Sequence, residues 1–98
     1  MSAIQKIQSA LTMTSKEIAE LTEKSHGHVK RDIIQTLKEA GIDASKFGCT
    51  YVDGSNREQT FFRLPKRECD LVVYGYSVKY RLAIIDRWQE LEKQQAPQ

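Results

Sequence analysis

The sequence is short of the groups that mark catalysis, export or membrane insertion. It holds two cysteines, Cys49 and Cys69, too far apart for a CxxC pair and too few for a disulfide framework. A reducing compartment, the cytoplasm, is therefore expected. Its five glycines, Gly27, Gly41, Gly48, Gly54 and Gly75, stand alone, so no glycine-rich phosphate cradle is present. The two histidines, His26 and His28, lack a third ligand at matched spacing, and no cysteine has a local base or orienting group. Neither a metal, a cofactor nor an enzyme activity is expected. No run of about 18 apolar residues exists to span a bilayer. The opening MSAIQKIQSALTM lacks the basic start and apolar block of a secretion signal. Internal repeats and low-complexity stretches are also missing.

What remains is the composition of one small globular domain. The chain has 98 residues, 40% of them hydrophobic and 29% charged. One core is expected over residues 1–98, with a short helix or a flexible arm at 1–12 and a ragged tail at 94–98. Fifteen Lys+Arg against thirteen Asp+Glu leave a net charge of +2, too weak by itself to indicate nucleic acid. The distribution says more. Residues 24–38 carry Lys24, Lys30, Arg31 and Lys38 against Asp32, a local +3. Residues 57–67 carry Arg57, Arg63, Lys66 and Arg67 against Glu58, again +3. These two segments predict a charged face on a nearly neutral protein.

The pattern of elements is helix, helix, hairpin, helix, helix. Thr14 or Ser15 opens the first helix, with Glu17 in the capping-box position after Thr14. Its inward residues are Ile18, Ala19 and Leu21. Ser25 caps a second helix that runs to about Ala40 and stops at Gly41. Cys49–Val52 and Arg57–Leu64 form a hairpin around Asp53-Gly54-Ser55-Asn56, with Gly54 expected to make the turn. Pro65 opens a third helix with Cys69, Val72, Val73 and Tyr76 on one side. Gly75 breaks it, and a last helix spans residues 78–93. Its buried side reads either as Leu82, Ile85 and Trp88 or as Ile84, Trp88 and Leu91. Two helices followed by a hairpin give the α+β order of a winged helix-turn-helix.

The second helix carries the functional signal. At 100° per residue, Val29, Ile33 and Leu37 form one stripe about 80° wide. Lys24, His28, Arg31, Gln35 and Lys38 form another, centred on the opposite side, with Asp32 and Glu39 outside it. A cationic, acid-free face suits phosphate oxygens, and Arg or Gln suits base edges. The leading turn, Ser25, His26, Gly27, His28, Lys30 and Arg31, would enter a major groove. Gly27 removes side-chain bulk there. Ala19 is small where the two helices cross. Asn56 and Arg57, with Gln59, mark the hairpin tip as a wing touching the DNA backbone or minor groove. The expected DNA-binding residues are thus Lys24, Ser25, His26, His28, Lys30, Arg31, Gln35, Lys38, Asn56 and Arg57. Lys24 and Lys38 face phosphates in this reading, and His28, Arg31 and Gln35 lie nearest the bases.

The stretches MTSKEIAELTEKSHGHVKRDI, YVDGSNREQTFFRL, LVVYGYS and YRLAIIDRWQELE occur in this order. Together they resemble the phage regulatory protein Rha family over roughly residues 13–92. The resemblance implies a phage or prophage regulator acting on double-stranded DNA, or an antirepressor that binds a phage repressor protein. Family members often carry a further C-terminal antirepressor-type domain. His28, Lys30 and Arg31 match the family's basic second helix, and Val29, Asp32 and Ile33 its structural residues. Where most helix-turn-helix motifs keep a glycine in the turn, this chain has Glu23 or its neighbours. The apolar last helix, Trp88 included, also leaves a homodimer open. No membrane partner is expected.

Overall fold

The computed structural model describes residues 11–95, and the expected arm lies outside that range apart from residues 11 and 12. Leu11 packs on the core instead of trailing free. The elements are β1 (Met13–Thr14), α1 (Ser15–Thr22), α2 (His26–Glu39), a 3-10 turn (Ala44–Phe47), β2 (Gly48–Val52), β3 (Glu58–Leu64), α3 (Lys66–Val73) and α4 (Val78–Gln95). The described residues form an α+β fold: four helices and an antiparallel sheet of three strands in the order β1-β3-β2.

Local chemistry sets the helix boundaries. The Thr14 hydroxyl accepts from the Glu17 amide at 3.2 Å and caps α1. Only half of the capping box forms, because the Glu17 carboxylate goes to Arg87 on α4. Ser25 caps α2 by accepting from the His28 amide at 3.1 Å. Gly41, at φ +76, ends α2 in the left-handed conformation that glycine adopts without strain. The α1–α2 turn needs the same conformation, and Glu23 supplies it at φ 58. The Glu23 amide donates to Glu20 O, and the next amide, Lys24, to Ala19 O. Tyr80 of α4 donates to the Glu23 carboxylate at 3.2 Å. The turn thus forms without glycine, with its carbonyls satisfied and its side chain held from outside.

At the hairpin the turn differs from the expectation placed on Gly54. The positive φ falls on Asn56, at 62°, and Gly54 has none. Asp53 organises the loop: one carboxylate oxygen accepts from the Ser55 and Arg57 amides, the other from Gln59. The Asn56 amide donates to Asp53 O, and the Asp53 amide to Arg57 O. A three-residue loop ending in a left-handed residue results. Those hydrogen bonds, the Arg57 amide first, hold the Asp53 carboxyl below its usual pKa.

β1 was hidden from sequence reasoning because two residues carry no period. Its pairing, Met13 with Leu64 and Thr14 with Arg63, ties the start of α1 to the base of the hairpin. The core gathers Met13, Ile18, Val29, Ile33, Leu37, Leu64, Cys69, Ile84 and Trp88, all essentially without solvent access. Burial pushes the Cys69 thiol up to about 12, so it stays protonated and inert. In α1, Ile18 and Ala19 are buried as expected. Leu21 is only half-buried, and Thr22 takes the fully covered place, its hydroxyl bonded to Ile18 O at 2.7 Å. In α4 the core takes Ile84 and Trp88, with Leu91 packed alongside. Leu82 and Ile85, the other reading of that helix, stay exposed.

Two adjacent residues of α2 separate inside from outside: Ile33 is 0% exposed and Ile34 49%. Ile33→Ala is expected to cost about 2–5 kcal/mol in urea denaturation, and Ile34→Ala no more than about 0.5 kcal/mol. Equal losses would contradict the orientation of α2.

Candidate functional site

The orientation of α2 determines what the surface offers. Val29, Ile33 and Leu37 are completely buried, against α1 and α3 among other elements. The opposite side of the helix must therefore face out. Gly27, His28, Arg31, Gln35 and Lys38 are all exposed. Arg31 and Lys38 make no ion pair or side-chain hydrogen bond among the described residues. No acidic residue occupies the first turn of α2, so the positive end of its dipole is not neutralised. A Cβ placed on Gly27 would meet nothing within 4 Å.

The sequence-predicted residues divide by role. Lys24 sits in the α1–α2 turn with its ammonium 4.6 Å from the centre of the Tyr76 ring. Ser25 is occupied with capping. Lys30 turns sideways and donates to Thr60 O on β3 at 3.2 Å, a tether between helix and hairpin. Gln35 donates to the Glu39 carboxylate at 2.6 Å, so its amide is engaged in the free protein. Asn56 and Arg57 sit on the exposed hairpin tip. Arg57 keeps a loose 3.9 Å ion pair with Asp53 while its side chain remains 74% exposed.

His26 differs from the rest. Its ring points away from the outward stripe, with Nε2 2.7 Å from the Ser15 hydroxyl. That hydroxyl also accepts from the Phe62 amide of β3 at 2.9 Å. Ser15 is fully buried, so this one oxygen joins α1, α2 and the sheet. Burial above all, with Lys30 and Lys16 adding repulsion, lowers the His26 pKa from its usual 6.5.

Sequence reasoning missed the devices that hold this face. Tyr76, beyond α3, donates to the Asp32 carboxylate at 2.6 Å. Asp32 also lies 3.5 Å from His28 Nε2. The acid next to the cationic stripe is thereby occupied. Burial and the hydrogen bond to Asp32 raise the pKa of the Tyr76 hydroxyl, which stays a donor. The signal for this was faint: Tyr76 was legible as an inward residue of α3, but its partner lies across the fold. The stacking of cations on the hairpin aromatics was not read from the sequence either. Lys16 sits 4.4 Å from the Tyr51 ring centre, and Arg63 5.7 Å from that of Phe61, on one face of the hairpin. Tyr51 and Phe61 meet edge to face at 5.8 Å. Among the described residues, no three His, Cys, Asp or Glu side chains come together to hold a metal. No described helix is long and apolar enough to cross a membrane.

His26 makes stability depend on pH. Its folded-state pKa lies below the unfolded one, so the unfolded chain binds more protons and stability rises with pH across that interval. The protein is expected to lose stability as pH falls from 7 towards 5.5, followed by thermal melts. His26→Gln should flatten this slope, and an unchanged slope would contradict the assignment.

A family model described as phage regulatory protein Rha matches residues 13–93, which takes in every element from β1 to most of α4. No curated protein matches the chain, and no solved structure does either. The match begins at the strand that leads into α1 and includes the α2 face, its Tyr76 clamp and the hairpin. On this extent of agreement, the chain belongs to the phage regulatory protein Rha family.

Proposed function

We propose that the protein is a sequence-specific DNA-binding regulator of a phage or prophage, working in the cytoplasm of the host and without enzymatic activity or cofactor. In this reading α1 and α2 form a helix-turn-helix, and β2–β3 is its wing. The observation that carries it is the outward face of α2, where Arg31 and Lys38 have no partner among the described residues and lie opposite a stripe with no solvent access. The α2 N-terminus enters the major groove, with its uncompensated dipole and free amides toward phosphate. Arg31 is the leading candidate for base contact, since a guanidinium fits guanine edges in two hydrogen bonds. His28 and Gln35 flank it. Gln35 must leave Glu39 to reach a base, and Glu39 then repels phosphate, which adds to discrimination. Lys24 and Lys38 lie where phosphates pass. Lys30 and His26 act differently: they position α2 against the hairpin and α1. The short strand β1 supports the winged reading, because it fixes the base of the hairpin to the start of α1.

A second reading, an antirepressor that binds a phage repressor protein, is favoured by one feature: Leu71, Tyr74, Val78, Leu82 and Ile85 are exposed on α3, α4 and the link between them. It predicts DNA-independent capture of a repressor and no salt-sensitive binding to duplex.

Gel shifts on phage regulatory DNA separate the two. With about five phosphate contacts, log K should fall against log salt with a slope of about −4 to −5. Arg31→Ala should weaken specific binding by about 1–3 kcal/mol. A flat salt response, or an Arg31→Ala variant that binds as before, would overturn the DNA reading.

Gly27 offers an independent check. Gly27→Ala should leave the fold intact and gain up to about 1 kcal/mol of stability from helix propensity. The added methyl should nonetheless weaken DNA binding if the first turn of α2 approaches the duplex closely. Unchanged affinity would remove that approach from the account.

A further inference from the structure

We propose that α4 pairs with α4 of a second copy of this chain, antiparallel and about a two-fold axis. The proposal does not depend on the DNA reading. The exposed side of α4 is apolar in its first half. Val78 is 70% exposed, and Leu82 and Ile85 are about half-exposed. At 100° per residue, Val78, Leu82, Ile85 and Gln89 fall within about 60° of one another. Tyr74, 77% exposed, extends the patch beyond the start of α4. Ile84 and Trp88 are fully committed to the core, so this stripe is a separate surface from the one that closes the monomer.

The charges beside the stripe identify the occupant. From Val78 to Ile85 the charged residues are Lys79 and Arg81, with no acid. From Asp86 to Glu92 they are Asp86, Glu90 and Glu92 against Arg87. Arg87 is already used by Glu17 and Glu90. Lys79 and Asp86 make no ion pair among the described residues, and both border the same flank of the stripe, as does Glu90. In an antiparallel pair the same flank of each helix meets, run in opposite directions. With the axis between residues 83 and 84, Leu82 lies opposite Ile85 of the second copy and Val78 opposite its Gln89. Lys79 then falls between Asp86 and Glu90 of the second copy, and the symmetry repeats the contact. A parallel pair brings opposite flanks together, so Lys79 would meet the side that carries Tyr74 and Arg81 and would find no acid there. The distribution of charge thus fits this helix to its own reverse. Lys93, beyond the acidic segment, lies past the apolar overlap.

Sedimentation equilibrium of the full chain without DNA tests this. A reversible dimer is expected. Leu82→Glu should weaken it by about tenfold or more. Lys79→Glu alone should weaken association, as should Asp86→Lys combined with Glu90→Lys. An equimolar mixture of these two variants should recover it as a heterodimer, because each pairing of unlike charge is then restored. All the substituted side chains are exposed, and circular dichroism verifies that the fold is kept. A monomer at every concentration would overturn the proposal. So would a dimer indifferent to Leu82→Glu, or charge variants that do not recover on mixing. Because DNA is absent, failure here leaves the gel-shift result for α2 standing, and the reverse also holds.

Discussion

The complete burial of Val29, Ile33 and Leu37 is the constraint from which the rest follows. A helix of 14 residues with one side fixed in a core has no freedom about its axis. The hydrophobic contribution of three such side chains, about 1.5–3 kcal/mol each, is large against the net stability of a small domain. Rotating α2 to hide its cations would expose all three. The charged face therefore follows from the packing, and it needs no further force to hold it outward. The Ser15 hydroxyl fixes the remaining detail, bringing the start of α2 and the edge of β3 to one buried oxygen. Lys30 repeats the helix-to-hairpin tie from the exposed side.

Much of this was legible because it depends on local chemistry or on a period. Thr14 and Ser25 acted as caps where the spacing placed them, and Gly41 ended α2. The stripe of α2 was correct residue by residue, since three apolar positions four apart admit one buried side. In α4 the same logic gave two answers. Ile84, Ile85 and Leu82 are too evenly spread for a single stripe, and only the presence of α1 and the neighbouring core decides for Ile84. The hairpin was recognised, but its turn was assigned to Gly54 when the Asp53 side chain makes Asn56 the left-handed residue.

The rest was not legible because it joins residues distant in sequence. Strand β1 exists only through its pairing with β3, some fifty residues away. Tyr76 clamps Asp32 across the fold, and Arg87 takes Glu17 from its capping role. His26, expected in the leading turn of α2, also links that turn to Ser15 on α1. These contacts change the chemistry of the site. Asp32, beside the outward stripe, is held by a tyrosine, and Arg31 and Lys38 have no internal partner among the described residues. The protein thus concentrates a modest net charge of +2 into one usable face, while a separate apolar face on α4 has charges suited to its own copy.

An NMR titration of the isotopically labelled chain with a duplex tests the central claim most directly, since it reads every amide at once. The account predicts salt-sensitive shifts concentrated at residues 24–38 and at the hairpin tip, residues 54–57. Shifts confined to α4, or spread evenly without a salt dependence, would contradict it.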